Sequence, residues 1–370
     1  MNRKLDEIFL LYRTLLNYII LYPKLITLNS IYQLPFLLFG KKYTPKPLTI
    51  NFLITHRCNL KCKMCSFFGR KTYETEERDM EFEDVKKILI GIKKINPIIS
   101  FGGGEPFLRE DFVDILKFAK HECNLKVTVI TNGTLLTDKV IKTIDKLDLI
   151  DYFIISLHGL FNLHDEIVGL KGAFDRVVSN IRRFSKKLKS KVIISSVLMR
   201  ENIFFFDDFI RFFLNEGIRK IKIEHLNFLT KEESNFYQKE NIFMPFTFIR
   251  KDLFEKEFIE KAWHTLINLK RKYRSKLIIK PPLSREQFYE WYGKKIGNSN
   301  EFYRLRCVFV RHSLFIDPQG EVIPCQFLRN CKIGNTKNND LLKLWNSAVY
   351  KNIRKIISKS NFPVCFRCCK

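Results

Sequence analysis

The feature that most constrains the fold is an alternation of short apolar strands with amphipathic helices over residues 48–225. Strands and helices that alternate in this order form a parallel sheet, because each helix returns the chain to the same end of the sheet. The sequence therefore predicts repeated strand–helix units. The predicted strands are Leu48–Thr55, Pro97–Phe101, Lys126–Thr131, Tyr152–Ser156, Lys191–Val197 and Arg219–His225, and the predicted helices are Phe82–Lys94, Asp111–Glu122, Asp138–Leu147, Ala173–Lys187 and Phe204–Glu216.

Length and composition place the chain among globular proteins. It has 370 residues, of which 46% are hydrophobic and 28% are charged, which excludes disordered, collagen-like and low-complexity classes. The 65 Lys and Arg against 39 Asp and Glu give a net charge of +26. Such a field attracts anions, so nucleic acid, an anionic membrane or an acidic small molecule are all compatible partners.

The alternation stops after Leu226, and the rest of the chain divides by composition. We expect an N-terminal segment at 1–46, a strand–helix domain at 47–228, a helical connector at 229–300 and a cysteine-rich tail at 301–370. The connector contains one strongly amphipathic run at Phe258–Tyr273. The expected fold class is α/β, with the two terminal segments added to it.

The N-terminal segment predicts an amphipathic helix and no membrane span. Its longest uncharged stretch, Leu25–Gly40, contains polar residues and is shorter than the roughly 18 apolar residues of a spanning helix. Asp6 and Glu7 lie where a signal peptide would be basic. Two interpretations stay open: the helix packs on its own domain, or it lies in a membrane interface, helped by the basic residues that follow. Those residues are Lys41, Lys42 and Lys46.

The cysteines are clustered, which indicates metal binding and argues against a disulfide framework. Cys58, Cys62 and Cys65 lie on the loop that leaves the first strand. Three thiolates this close can bind iron–sulfur or zinc, but a structural zinc site needs four ligands. The fourth ligand is His56, a distant residue, or deliberately absent. An open iron that binds a substrate molecule accounts best for a count of three.

Two motifs together resemble the radical S-adenosylmethionine superfamily. One is the Cys-x3-Cys-x2-Cys loop after the first strand, and the other is Gly103-Gly104-Glu105-Pro106 after the second. The resemblance implies a partial (βα)6 barrel with parallel strands. It also implies a [4Fe-4S] cluster on Cys58, Cys62 and Cys65, whose open iron chelates S-adenosylmethionine. Reductive cleavage then gives a 5′-deoxyadenosyl radical that abstracts hydrogen from a substrate.

Further residues at the strand ends are expected to contact S-adenosylmethionine. Glycines allow close backbone approach, and the Glu105 carboxylate is placed to face the ammonium group. The resemblance assigns polar residues after the third, fourth and fifth strands to the ribose or the carboxylate, with Ser195 and Arg200 as alternatives on the fifth. The predicted contacts are Gly103, Gly104, Glu105, Pro106, Asn132, Ser156, Ser195 and Arg200.

Six of the ten cysteines lie in the tail. Their order resembles the SPASM/twitch tail of the same superfamily, in which Cys…Gly-x4-Cys is followed by Cys-x2-Cys. This implies one auxiliary [4Fe-4S] cluster, and its expected ligands are Cys307, Cys325, Cys365 and Cys368. Cys331 and Cys369 are left over, and either could replace an assigned ligand. A four-thiolate zinc ribbon is the alternative.

The resemblance predicts a radical enzyme that acts on an unactivated C–H bond and needs a reducing partner such as flavodoxin or ferredoxin. We favour a lipid or lipid-linked substrate, because the N-terminal segment suits a membrane surface and no leader-peptide-binding domain precedes the barrel. The expected location is the cytoplasm, with peripheral attachment to the inner face of the membrane.

Three alternatives for the function stay open. The first is a peptide- or protein-modifying maturase of the SPASM type. The second is a nucleic-acid-modifying enzyme, which would use the basic excess, although no RNA-binding module is visible. The third is a non-catalytic metal-binding protein, against which the intact Gly103–Pro106 motif argues.

Overall fold

The computed structural model describes residues 45–65, 78–239, 248–250, 254–293, 307, 309–359 and 362–368. The predicted N-terminal amphipathic helix lies outside these residues. Of the helices in the described ranges, none is both long and apolar enough to cross a bilayer.

Twelve strands lie in the described ranges. They are β1 (Thr49–Thr55), β2 (Ile98–Gly103), β3 (Lys126–Thr131), β4 (Tyr152–Ser156), β5 (Val192–Leu198), β6 (Lys220–His225), β7 (Phe228–Thr230), β8 (Phe248–Arg250), β9 (Leu277–Lys280), β10 (Ser313–Ile316), β11 (Glu321–Ile323) and β12 (Gly334–Asn335).

Fourteen α-helices accompany these strands in the described part of the chain. They are α1 (Phe82–Lys93), α2 (Phe112–Lys117), α3 (Asp138–Lys146), α4 (Phe161–Val168), α5 (Ala173–Arg182), α6 (Lys186–Lys189), α7 (Phe206–Asn215), α8 (Lys231–Lys239), α9 (Lys256–Tyr273), α10 (Arg285–Gly293), α11 (Phe309–His312), α12 (Leu341–Trp345), α13 (Ala348–Lys359) and α14 (Pro363–Phe366). A π-helical turn, Phe118–Glu122, extends α2.

Ten of the strands form one sheet in the order β12-β11-β10-β1-β2-β3-β4-β5-β6-β9. The strands from β1 to β6 pair in parallel and in chain order, which confirms the predicted α/β fold with a parallel barrel sheet. The carboxyl ends of these strands therefore meet at one edge, where ligands bind in folds of this kind.

Two features of the sheet differ from the sequence prediction. The alternation does not end at Leu226, because β9 pairs in parallel with β6 after helix α9. The connector predicted for 229–300 is therefore not purely helical, and it also contains the separate β7–β8 pair. At the other edge, β10 of the tail pairs in parallel with β1, so the tail extends the barrel sheet. The predicted hairpin in the tail is confirmed as β10–β11.

The two faces of the sheet have different neighbours, because successive side chains of a strand point to opposite faces. Outer-face residues such as Phe52, Phe101 and Ile194 pack with the helices in the main core. The inner face carries a smaller apolar cluster, which consists of Ile98, Tyr152, Ile154, Ile193 and Ile278. Strand residues of the same parity as this cluster point into the partial barrel.

The end of β2 lies directly against the loop that follows β1. The Gly104 N–H donates to the Thr55 carbonyl at 2.8 Å, and the Glu105 N–H donates to the Arg57 carbonyl at 2.8 Å. A Cβ atom on Gly104 would lie 1.9 Å from the Arg57 oxygen, and Gly103 has a φ of +127°. A side chain at these positions would therefore collide with the protein's own backbone. The sequence analysis had attributed the need for glycine to a bound ligand.

We predict that Gly104→Ala lowers the free energy of unfolding by about 3 kcal/mol, the upper end of overpacking costs, because two backbones must separate. Gly91→Ala is the matched control, since a Cβ atom there meets nothing within 4 Å. Gly91 lies inside α1, so the free energy of unfolding of the control should rise by about 0.5–1 kcal/mol. Urea unfolding of the iron-free proteins measures both values, and equal effects of the two substitutions would contradict the prediction.

Candidate functional site

Cys58, Cys62 and Cys65 lie together on the loop that leaves β1, as partly buried free thiols. The Cys65 N–H donates to the Cys62 carbonyl at 3.0 Å and closes a tight turn. Burial raises the pKa of Cys58 to about 11, and it also raises the pKa of Cys62; the nearby thiols add to both shifts. Buried thiols become ligands when a metal compensates the thiolate charge. The donor set therefore fits a metal cluster.

Helix α4 holds this cysteine loop in place. The N–H groups of Lys61 and Lys63 donate to the carbonyls of Val168 and Ile167, at 3.0 and 2.8 Å. Leu60, which directly precedes Lys61, is 2% exposed and packs in one apolar cluster with the same two helix residues. The sequence analysis did not predict α4, so it missed the element that anchors the motif.

Glu105 braces the ends of β2 and β3 from a fully buried position. Its carboxylate accepts hydrogen bonds from the Thr131 hydroxyl at 2.7 Å, the Asn132 N–H at 2.7 Å and the Phe107 N–H at 3.2 Å. Burial raises the pKa of Glu105 to about 7, against these bonds, which lower it. Contact between this carboxylate and S-adenosylmethionine stays a prediction. What the structure shows is that the carboxylate links the end of β2 to the end of β3. Pro106 follows as the buried first residue of a 3-10 turn.

A polar network joins the cysteine loop to the end of β3. The Asn132 side chain donates to Asn59 Oδ1 at 2.8 Å and accepts from the Thr134 N–H at 2.9 Å. Asn59 in turn donates to the Thr134 hydroxyl at 2.9 Å. The Asn132 side chain also hydrogen-bonds the Cys58 thiol and lowers its pKa. Asn132 therefore lies beside the first cysteine, and Asn59 and Thr134 are site residues that the sequence analysis missed.

Ser156 at the end of β4 and Ser195 in the middle of β5 lie side by side, as partners in the register. Both belong to the inner face by strand parity, and Ser195 is 7% exposed. Neither hydroxyl has a hydrogen-bond partner among the residues that the structure describes. Buried hydroxyls normally have a partner, so this pair is suited to bind a polar ligand.

Two other candidate residues have partners elsewhere. Arg200 pairs with the Glu255 carboxylate, and its guanidinium lies 4.7 Å from the ring centroid of Phe258. Its contact with S-adenosylmethionine stays a prediction, with Ser195 as the alternative on β5. His56 accepts a hydrogen bond from Arg329 of the tail, and burial lowers its pKa to about 3, with a further contribution from Arg329. His56 therefore links the loop to the tail, and a role as fourth ligand is disfavoured.

The tail brings the four predicted auxiliary ligands together. Burial, and then the nearby Cys368, raises the pKa of Cys307 to about 12. The pKa of Cys325 is raised by burial and by the neighbouring Cys307 and Cys368 thiols. Cys365 belongs to the apolar cluster that contains Cys325 and Cys368. Cys331 also has a raised pKa, but burial is its only cause. Cys369 lies outside the described residues.

Backbone N–H groups bond the sulfur atoms of Cys307 and Cys325, two for each cysteine. These groups belong to Phe309, Val310, Phe327 and Leu328. Hydrogen bonds of this kind stabilise a thiolate. In the described ranges no three His, Cys, Asp or Glu side chains converge as the ligands of one metal ion would. The thiolates of a four-iron cluster bind separate irons and need not converge, so both cysteine sets fit an iron–sulfur cluster.

We predict a pH dependence that comes from Glu105. Its pKa of about 7 in the folded protein exceeds the value of about 4.3 for an unfolded chain, so the folded state binds the proton more tightly. Ionisation therefore destabilises the folded state as the pH rises between these two values. The stability of the wild type relative to Glu105→Gln should fall by about 3 kcal/mol from pH 4.5 to pH 7 and then level off.

Urea unfolding of the iron-free proteins at several pH values checks this prediction. Glu110→Gln is the control, because Glu110 is exposed. A wild type and a Glu105→Gln variant that show the same pH dependence would contradict it.

Comparisons with known proteins agree with this site. The Radical SAM superfamily model matches residues 52–213, and an iron-sulfur cluster-binding domain of the SPASM type matches residues 307–369. Fe-coproporphyrin III synthase of Methanosarcina barkeri is 26% identical over 342 residues, which cover 87% of this chain and 80% of the relative. PqqA peptide cyclase of Rhizobium meliloti is 23% identical over 304 residues, which cover 81% of this chain and 73% of the relative.

Two solved structures share the fold. Streptococcus suis SuiB bound to precursor peptide SuiA aligns with a TM-score of 0.63 and 20% identity, covering 88% of this chain and 72% of that chain. The enzyme anSMEcpe with bound AdoMet and a peptide aligns with a TM-score of 0.61 and 18% identity, covering 87% and 90%. Motifs, fold and family matches agree: the chain belongs to the radical SAM superfamily, and it is an enzyme that uses a [4Fe-4S] cluster and S-adenosylmethionine and carries a SPASM-type iron–sulfur tail.

Proposed function

We propose that this radical SAM enzyme takes a hydrogen atom from a peptide or protein substrate. Its similarity to PqqA peptide cyclase extends over 81% of the chain and supports this substrate class. The lipid substrate favoured by the sequence analysis has no support among these relatives, whose names describe peptide and cofactor chemistry. The peptide-modifying alternative is therefore the better hypothesis, and membership of an enzyme superfamily argues against the non-catalytic one.

The observation that carries this proposal is the polar inner face at the mouth of the barrel. Lys222 pairs with Glu224 at 3.2 Å on β6, and Lys280 on β9 is the register partner of Glu224. Ser195 on β5 is the register partner of Lys222, and Ser156 adjoins it on β4. Charged side chains at this place suit the amide and charged groups of a peptide better than an acyl chain.

The residues of the catalytic site divide into ligands and supports. We propose that Cys58, Cys62 and Cys65 hold the cluster, and that Ser156 and Ser195 bind S-adenosylmethionine. When bound, the cluster and S-adenosylmethionine supply reductive cleavage, for which an external donor such as flavodoxin or ferredoxin provides the electron. The supporting residues fix the cysteine loop from two sides. Leu60 of the loop packs on α4, and the hydrogen bonds of Glu105 hold the neighbouring strand ends. Gly103, Gly104 and Pro106 form the turn that contains Glu105.

For the tail we propose one auxiliary [4Fe-4S] cluster on Cys307, Cys325, Cys365 and Cys368. Four thiolates leave no iron open for a substrate, so this set favours electron transfer over substrate binding. Peripheral attachment to a membrane through residues 1–46 stays a prediction, because residues 1–44 lie outside the described residues.

A porphyrin substrate is the second candidate. The relative Fe-coproporphyrin III synthase covers 87% of this chain. On the inner face of β6 and β9, three lysines accompany one carboxylate, and such an excess would bind carboxylate groups. The four residues are Lys220, Lys222, Lys280 and Glu224.

Replacing all three loop cysteines tests the ligand assignment. We predict that Cys58→Ala/Cys62→Ala/Cys65→Ala abolishes formation of 5′-deoxyadenosine from S-adenosylmethionine and dithionite. Reconstituted wild type should contain about eight irons per chain and the triple variant about four, on four irons per cluster. Cys123→Ala is the control, because this buried thiol belongs to the main core. Wild-type formation of 5′-deoxyadenosine by the triple variant would refute the assignment.

The substrate class is tested by supplying both candidates to the reconstituted enzyme. We expect a peptide encoded beside its gene to change mass only when both S-adenosylmethionine and dithionite are present. A carboxylate-bearing porphyrin-type tetrapyrrole serves as the second arm, because the relative's name makes Fe-coproporphyrin III its product and not its substrate, and the triple cysteine variant serves as the inactive control. A change in the porphyrin with none in the peptide would replace the first hypothesis by the second.

A further inference from the structure

The open sheet has two ends, and the tail cysteines lie at both. Cys307 and Cys325 flank the β10–β11 hairpin, next to β1. The turn from Cys365 to Cys368 packs instead on Leu229 of β7, which directly follows β6. We propose that Arg367 is a positioning residue that clamps this turn to the β6–β9 end of the sheet, so that the auxiliary site joins the two ends of the partial barrel. This inference goes beyond the proposed function and does not depend on the substrate.

Arg367 has the contacts of a clamp. Its side chain is 0% exposed, and its Nη1 lies 2.6 Å from the Glu233 carboxylate, which is 1% exposed. Its Nε donates to the Trp291 carbonyl at 2.6 Å, and its guanidinium lies 4.3 Å from the ring centroid of Phe228. Its own carbonyl accepts a hydrogen bond from the Asn227 side chain. All four partners precede the tail in sequence and belong to the β6–β9 end.

The partner carboxylate is itself fixed to β7, a strand of the separate β7–β8 pair. Glu233 accepts from the Thr230 N–H at 2.9 Å, and the Glu233 N–H donates to the Thr230 hydroxyl at 3.2 Å. Helix α14, which precedes Arg367, has only four residues and is too short to hold its own position. A fully buried ion pair costs desolvation energy, and here its geometry fixes the residue between two predicted ligands.

The other cysteine pair has an arginine clamp of its own. Arg354 of α13 is 4% exposed, and it donates to the Val310 carbonyl at 3.0 Å and to the Trp345 carbonyl at 2.9 Å. Its guanidinium lies 3.7 Å from the ring centroid of Tyr350. The Val310 N–H bonds the Cys307 sulfur. Each half of the auxiliary site therefore has its own anchor, and the halves meet where Cys368 approaches Cys307 and Cys325.

The first test measures iron in the triple variant Cys58→Ala/Cys62→Ala/Cys65→Ala, which isolates the auxiliary site. Into this parent we introduce Glu233→Gln/Arg367→Gln, which removes both buried charges and leaves neither unpaired. Arg182→Gln is the control, because it breaks an ion pair of the same 2.6 Å length on the surface. Iron should fall from about four per chain to below one in the double substitution, with loss of the reduced cluster's EPR signal, and should not change in the control.

A double-substituted protein with the parent's circular dichroism, about four irons per chain and an unchanged EPR spectrum would overturn the proposal. A parent that binds no iron would overturn it as well.

The second test needs no substitution and holds even if the double variant fails to fold. Hydrogen exchange is compared between the wild type with iron and the wild type after chelation. Iron should slow exchange at both ends of the sheet, in 313–323 and in 228–235. Protection confined to the tail segment would show that the site does not join the two ends.

Discussion

The structure depends on the position of β1 between β2 and β10. β1 pairs in parallel with a barrel strand on one side and with a tail strand on the other, so its backbone is hydrogen-bonded along both edges. The loop that leaves β1 carries the first three cysteines, and both halves of the protein therefore define where that loop begins. The contact between His56 and Arg329 adds a direct link from this loop to the tail. Barrel and tail thus form one sheet around the candidate site.

Buried polar groups mark the places where the fold positions chemistry. Glu105 and Arg367 are both fully buried, and each joins segments that are distant in the sequence. Burying such groups costs free energy unless hydrogen bonds replace the lost water. Each of these two residues has three or more polar or aromatic partners that replace water. These contacts fix the position of the neighbouring cysteines.

Much of the barrel could be predicted from the sequence, because β1–β6 are apolar segments of ordinary length separated by clear helical periodicity. The strand β9 escaped prediction since it has four residues, follows a long helix and ends before Pro281. Helix α4 was missed because its eight residues begin two positions after Gly159 and look like a continuation of the loop after β4. Both misses reflect segments too short for periodicity to separate from their surroundings.

The candidate site was predictable only in part. The motif cysteines and Glu105 could be located because their spacing is local. Arg200 could not be judged from its place at a strand end, because its partner Glu255 lies 55 residues further along the chain. The same holds for Arg367 and Glu233, which are 134 residues apart. Contacts of this kind depend on the finished fold, and no local pattern reports them.

The pairing of β10 with β1 has a consequence for biosynthesis. Asn51 and Leu314, which touch across these strands, are separated by 263 residues. A chain still on the ribosome therefore exposes one edge of β1 until β10 has been made, and contacts between such distant segments form late. An unpaired edge also attracts other strands. The cysteine loop acquires its neighbours from the tail only after β10 and Arg329 have been made, so iron insertion is better timed after that point than before it.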